Sequence, residues 1–127
     1  YFSGGGGLSS TIYDYAVFLQ MLLNNGEYNG QRLLSRNTVR MMTMNQIGDL
    51  PFGDTRFGLG FSIVTEEGSR MSPIQEGSYS WGGAFSTIYW VDPKEKMVVL
   101  LYQQMWGQHV SDVDKTYKVL VYQGLND

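Results

Sequence analysis

The 127-residue sequence has no cysteine and a single histidine, His109. Disulfides and thiolate chemistry are therefore excluded. A zinc centre built from His and Cys has almost nothing to draw on, and no cofactor is implied. His109 follows Gly107 in a loop-like stretch and reads as an ordinary surface or packing residue. No apolar run approaches the roughly 20 residues needed to span a bilayer. The net charge of -3 gives no electrostatic reason to expect nucleic acid or an anionic membrane as partner. Catalytic signatures are missing as well: there is no GxSxG, no P-loop and no HExxH. No serine has a lysine three residues later, so SxxK is absent too. The chain opens at Tyr1 with neither Met nor a signal pattern. It reads as one entered part-way, running straight into Ser3 and the glycines Gly4 to Gly7.

What is present is enough for a single folded unit, 1–127. At 43% hydrophobic the chain can build a core. Ile12, Tyr15, Ala16, Phe18, Leu19, Leu22 and Leu23 recur at helical spacing. Thr11 is placed to cap that helix, with Asp14 in capping-box position, and Asn24-Asn25-Gly26 supplies a stop. The spacing predicts a helix from Ile12 to about Asn24. After a turn at Tyr28-Asn29-Gly30, Ser35 can cap a second helix from Arg36 to about Asn45, with Val39, Met41 and Met42 on its inner side. Methionines there suit gap-filling in a core or an adaptable binding surface.

Residues 47–56 read as loop. FGLGFSIV, Phe57 to Val64, reads as one strand in which Gly58 and Gly60 leave room for close backbone approach. Glu66 to Glu76 is polar and reads as a loop or hairpin turn. Ala84 to Val91 is β-branched and aromatic, a strand pattern, and Asp92-Pro93 begins a turn. The apolar run Met97 to Gln103 suits a strand covered on both faces. Phe85–Val91 and Met97–Gln103 are thus expected to pair as an antiparallel hairpin at the centre of a sheet. Ser111 is expected to cap a final helix with Asp112 and Asp114 in its first turn. Its apolar stripe would be Val113, Tyr117, Leu120, Val121 and Leu125. The order predicts an α+β fold, an antiparallel sheet with helices packed on it. Residues 1–46 form the helical part, and residues 57–127 supply the strands and the last helix.

One stretch could carry chemistry: Trp81-Gly82-Gly83-Ala84. Backbone without Cβ atoms can approach a ligand and offer N–H groups to an oxyanion. The same glycines also suit a plain bend at a strand corner.

Three blocks carry a resemblance. They are SGGGGLSSTIYDYAVFLQMLLNNGEYNGQRLLSRNTVRMM (Ser3 to Met42), FGLGF (Phe57 to Phe61) and SWGGAFSTIYWVDPKEKMVVLLYQQ (Ser80 to Gln104). Their residues and order resemble the C-terminal part of the serine β-lactamase-related hydrolases: class C β-lactamases, penicillin-binding DD-peptidases and esterase-like relatives. The resemblance implies a partial β-lactamase/transpeptidase-like fold and an acyl substrate: an ester, a β-lactam or a relative. It implies that Trp81-Gly82-Gly83 stands where the family keeps a Lys-Thr-Gly or His-x-Gly triplet, and that Ala84 gives its backbone N–H to the oxyanion hole. Tyr79 and Phe85, which flank the triplet, would line the acyl pocket, although strand packing explains them equally well. Trp81 cannot supply the charge of the family's lysine, which tilts the expected substrate toward esters with an apolar group.

The family's nucleophilic serine, lysine and tyrosine have no match in these residues. An oxyanion hole without an activated nucleophile is not a hydrolase. The isolated chain is therefore expected to be inactive. It is also expected to associate through an exposed edge beside Met97–Gln103, either with the missing N-terminal half or with itself. The competing reading is a non-catalytic ligand-binding or scaffold module on the same fold.

Overall fold

A computed structural model describes residues 3–106 and 111–125, apart from the side chain of Ser111. His109 and the capping role expected of Ser111 lie outside what it describes.

Helix α1 spans Ile12–Leu23. Thr11 caps it as expected: its hydroxyl oxygen accepts from the Asp14 backbone N–H at 3.1 Å. The same hydroxyl donates to the Asp14 carboxylate at 2.8 Å. Asp14, shorter than the usual Glu, engages the capping hydroxyl itself. The expected turn after α1 is a small hairpin, β1 (Glu27–Tyr28) with β2 (Gln31–Arg32). Asn29 and Gly30 take φ of 51° and 77°, the two-residue turn that suits strand twist. Helix α2 (Arg36–Met42) is capped by Ser35 and stops three residues short of the expected end. Thr43 closes it, with its N–H and hydroxyl both donating to the Val39 carbonyl. Val39 is buried, Met42 is half-buried and Met41 is exposed.

The expected single strand at Phe57 to Val64 is two strands. Strand β3 (Thr55–Phe57) turns at Gly58-Leu59-Gly60 into β4 (Ser62–Val64), and the two pair antiparallel. Alternating apolar residues run through the turn, which hid it. Gly58 does allow a close approach: a Cβ there would collide with the Met42 carbonyl, against which the turn is seated by Leu59 N–H at 2.9 Å. The polar stretch after β4 begins with a short helix, α3 (Glu66–Arg70), capped by Thr65.

The remaining strands are β5 (Tyr79–Gly82), β6 (Ile88–Asp92) and β7 (Met97–Leu101). The five-stranded sheet runs β3-β4-β5-β6-β7, antiparallel throughout. The β6–β7 hairpin forms as expected, in the register Tyr89↔Leu100, Trp90↔Val99, Val91↔Val98. It is not central, because β7 is the last strand among the described residues.

Side chains alternate across β6 and divide the core in two. Tyr89 and Val91 join Leu19, Met21 and Leu22 of α1, Val39 of α2, and Phe61, Ile63 and Tyr79. Trp90, on the other face, joins Ile74 and Val99 under Tyr117, Val121 and Tyr122 of α4 (Ser111–Gln123). Both faces of the sheet are thus covered by helices. The expected stripe of α4 holds only in part. Tyr117 and Val121 pack inward, whereas Val113, Leu120 and Leu125 are exposed, because the inward face is shared with Tyr122 rather than with them.

A buried carboxylate joins α4 to the sheet. Asp92 is fully buried at the end of β6. One of its oxygens accepts from the N–H groups of Lys94 and Glu95, at 3.0 and 3.1 Å. The other accepts from the Tyr122 hydroxyl at 2.6 Å. Removing that donor leaves a buried carboxylate under-satisfied. Tyr122→Phe is expected to lower unfolding free energy by about 1.5–3 kcal/mol, read from chemical denaturation.

Burial pushes the phenols of Tyr79, Tyr89 and Tyr122 above their ordinary range, and for Tyr122 the bond to Asp92 adds to the rise. The folded state therefore holds these protons more tightly than the unfolded chain. Their contribution is complete below about pH 10, the unfolded tyrosine value, and is lost as pH rises beyond it. Stability is expected to be flat in this term up to about pH 10 and to fall above it, which an alkaline series of denaturation midpoints will show.

Candidate active-site hairpin

Strand β5 ends at Gly82, and the chain folds back to β6 through residues 83–87. Ala84 and Phe85 were expected inside a strand. They lie in this turn instead, and the second strand starts at Ile88. The turn is closed by Gly83 N–H donating to the Thr87 carbonyl at 2.8 Å and by Ser86 N–H donating to the Gly83 carbonyl at 3.1 Å. Ser86 takes the left-handed conformation, φ 62°. Nothing in the apolar pattern of AFSTIYWV marks that break.

The glycines have a local cause. A Cβ on Gly83 would collide with the Thr87 hydroxyl, and one on Gly82 would stand 3.0 Å from the Thr87 carbonyl. Both are hairpin-facing positions that Thr87 fills. Gly83→Ala is therefore expected to destabilise the protein by about 1–3 kcal/mol. Thr87→Ala in the same chain should recover most of that loss, since it removes the colliding oxygen. A double-mutant cycle on denaturation midpoints measures the coupling.

The triplet and its neighbours are divided between surface and core. Trp81 is 47% exposed and Phe85 50% exposed, whereas Tyr79 is 2% exposed. Tyr79 packs edge-on to Phe61, with ring centroids 5.3 Å apart, inside the core. The Ala84 backbone N–H is on the exposed turn and donates to no group among the described residues. Beside it, β5 is incompletely paired. Strand β6 pairs with all of Tyr79 to Gly82, but β4 reaches only Tyr79 and Ser80. Trp81 and Gly82 thus have an open strand edge on the β4 side among the described residues.

Aromatic rings border the hairpin. Phe57 meets Trp81 edge-on at 5.2 Å, and Phe52 meets Phe57 at 5.3 Å. Trp106, which is 75% exposed, lies 5.3 Å from Phe85. The 105–106 segment is held there by the Ser86 hydroxyl donating to the Met105 carbonyl at 2.9 Å. Phe52, Phe57 and Trp106 were not singled out from sequence. Only the overall density of aromatics hints at them, because Phe57 reaches Trp81 through the β3–β4 pairing and Trp106 reaches Phe85 through the 83–87 turn. No ion pair involves Trp81 to Phe85 among the described residues, where the salt bridges are Arg32–Glu27 and Arg70–Glu66. Among the same residues no group of three or more His, Asp or Glu is placed to hold a metal. No described helix is long and apolar enough to cross a membrane.

Among the described residues the arrangement is a turn after a strand end, with the Ala84 N–H unpaired, an open edge on β5 and an apolar rim. The family model described as Beta-lactamase matches residues 1–123. The chain belongs to the beta-lactamase family. Relatives agree. A Mycobacterium tuberculosis protein is 36% identical over 111 residues, covering 77% of this chain and 28% of its own length. An Escherichia coli protein named as a putative D-alanyl-D-alanine carboxypeptidase is 31% identical over 114 residues, covering 89% of this chain and 26% of its own length.

Two solved structures share the fold. One is EstCE1, a hydrolase with promiscuous acyltransferase activity, at TM-score 0.81 and 21% identity over 96% of this chain and 32% of that one. The other is a putative 6-aminohexanoate-dimer hydrolase from Bacillus anthracis, at TM-score 0.66 and 24% identity over 90% of this chain and 29% of that one. The partial β-lactamase-like α+β fold and the hydrolase family expected from the sequence are thus established. The chain spans roughly a quarter to a third of the length of each of these proteins.

Proposed function

We propose that this chain forms the oxyanion side of a serine acyl hydrolase acting on esters, β-lactams or related acyl substrates. The observation that carries the reading is the Ala84 N–H: in the exposed turn that follows β5, without a partner among the described residues, and next to an apolar rim. When a serine attacks a carbonyl, negative charge develops on the carbonyl oxygen. A fixed backbone N–H aimed at that oxygen stabilises the transition state more than the ground state, commonly by a few kcal/mol. The Thr87–Gly83 closure holds the turn that presents this group. Gly82 and Gly83 shape the approach, and Trp81 and Phe85 border it. Tyr79 supports the strand from the core.

The free β4-side edge at Trp81 and Gly82 could take an extended substrate by main-chain hydrogen bonding. Trp81 offers an apolar face and no positive charge, which favours esters with an apolar group over substrates that need a cation for their carboxylate.

The nucleophile and its base would come from outside these residues, which hold no SxxK. The remaining part of such a domain would dock at β7, whose outer edge has no strand beside it among the described residues. A p-nitrophenyl ester assay tests the reading. The complete gene product that carries this chain is expected to turn over the ester, and these 127 residues alone are expected not to. Turnover by the chain alone would overturn the divided site. Binding near Trp81 without acylation, even by the complete gene product, would instead favour a scaffold that kept the fold and lost the chemistry.

A further inference from the structure

We propose that Phe57 and Phe52 are specificity-determining residues, forming with Trp81 an aromatic wall that selects acyl esters carrying a large apolar group over short-chain ones. The inference rests on the hydrolase reading above and extends it to residues outside the triplet strand.

Two segments distant in sequence bring their rings into one row: the loop before β3 together with β3 itself, and the end of β5. Phe52 meets Phe57 at 5.3 Å with 62° between ring planes, and Phe57 meets Trp81 at 5.2 Å with 76°. Edge-to-face contact of this kind is favourable and directional. It restrains the Trp81 ring from one side while leaving about half of the residue open to solvent.

The loop end of the row is also held. Thr55 donates to the Phe52 carbonyl through both its N–H and its hydroxyl, at 3.3 and 3.0 Å. The neighbouring Asp54 carbonyl accepts from the Thr65 hydroxyl at 2.6 Å, which anchors the loop to the start of α3. The wall therefore exists before a ligand arrives, and little ordering is needed on binding. Phe52 and Trp81 are exposed and Phe57 is half-buried, so the row ends in accessible apolar surface at Trp81, three residues before Ala84 in the turn that follows β5. No charged side chain is hydrogen-bonded or ion-paired to these three residues among the described contacts. A wall of that composition rewards each methylene it covers, roughly fourfold in affinity per buried group. It offers nothing to an acetyl group too short to reach it.

The test uses the complete gene product that carries this chain, with p-nitrophenyl octanoate and p-nitrophenyl acetate. The readout is the ratio of the two kcat/KM values. Phe57→Ala is expected to lower the octanoate-to-acetate ratio about fivefold, and Phe52→Ala about twofold to threefold, with the acetate value nearly unchanged. Phe52 is exposed on a loop, so its variant is the safer to fold. Phe57→Leu keeps bulk in β3 while removing the ring edge, and should lower the ratio in the same direction. A ratio unchanged in all three variants, or octanoate and acetate falling in parallel, overturns the aromatic wall and leaves the hydrolase reading standing. If the unmodified protein turns over neither ester, the hydrolase reading fails and the wall fails with it.

Discussion

The structure depends on β6 being buried on both faces. Trp90 and Val91 are adjacent in sequence and point to opposite sides of the sheet, and each is almost wholly withdrawn from water. Val91 binds the sheet to α1 and α2, and Trp90 binds it to α4. An antiparallel strand covered on both faces must be apolar in nearly every residue. Once β6 is so placed, register does the rest. Its pairing with β5 runs Tyr79↔Val91 to Gly82↔Ile88, which brings Trp81 opposite Tyr89 and leaves the turn after Gly82 at the sheet's end. The candidate site lies where it does because β6, buried on both faces, fixes the register of β5 beside it.

The helices were legible because their signals are local. Thr11, Ser35 and Thr65 each cap a helix through bonds that span three residues; the caps of the first two are visible in the sequence without knowledge of the fold. The β6–β7 hairpin was legible for a similar reason, two apolar runs around Asp92-Pro93. Turns buried in apolar pattern were not. Gly58-Leu59-Gly60 and Ala84-Phe85-Ser86 both sit within runs that read as continuous strand. What seats the first is tertiary, the Met42 carbonyl, and what closes the second is local, the Gly83–Thr87 bond within the turn. The two-residue strands β1 and β2 were too short to carry a periodicity.

The site was legible in part. Trp81-Gly82-Gly83-Ala84 could be picked out by composition and by family resemblance. Its setting could not, since the rings that surround it come from residues 52, 57 and 106, brought together only by the fold. The glycines show how one residue type can serve two explanations. The sequence allowed either a bend or a close approach of backbone to ligand. The hairpin explains the missing Cβ atoms by Thr87 alone, which shifts the chemical interest from the glycines to the N–H that follows them.

One side chain crosses from this hairpin to the C-terminal helix. The Gln103 amide donates to the Ser86 carbonyl at 3.2 Å and to the Asp114 carboxylate at 3.4 Å. The turn that carries Ala84 is thereby braced against the first turn of α4, whose far end is moored to Asp92 through Tyr122. The helix acts as a strut set across the sheet, fixed at both ends. Sequence change along its exposed side can leave the rim of the site undisturbed, while a shift in how the strut seats would tilt that rim as a unit.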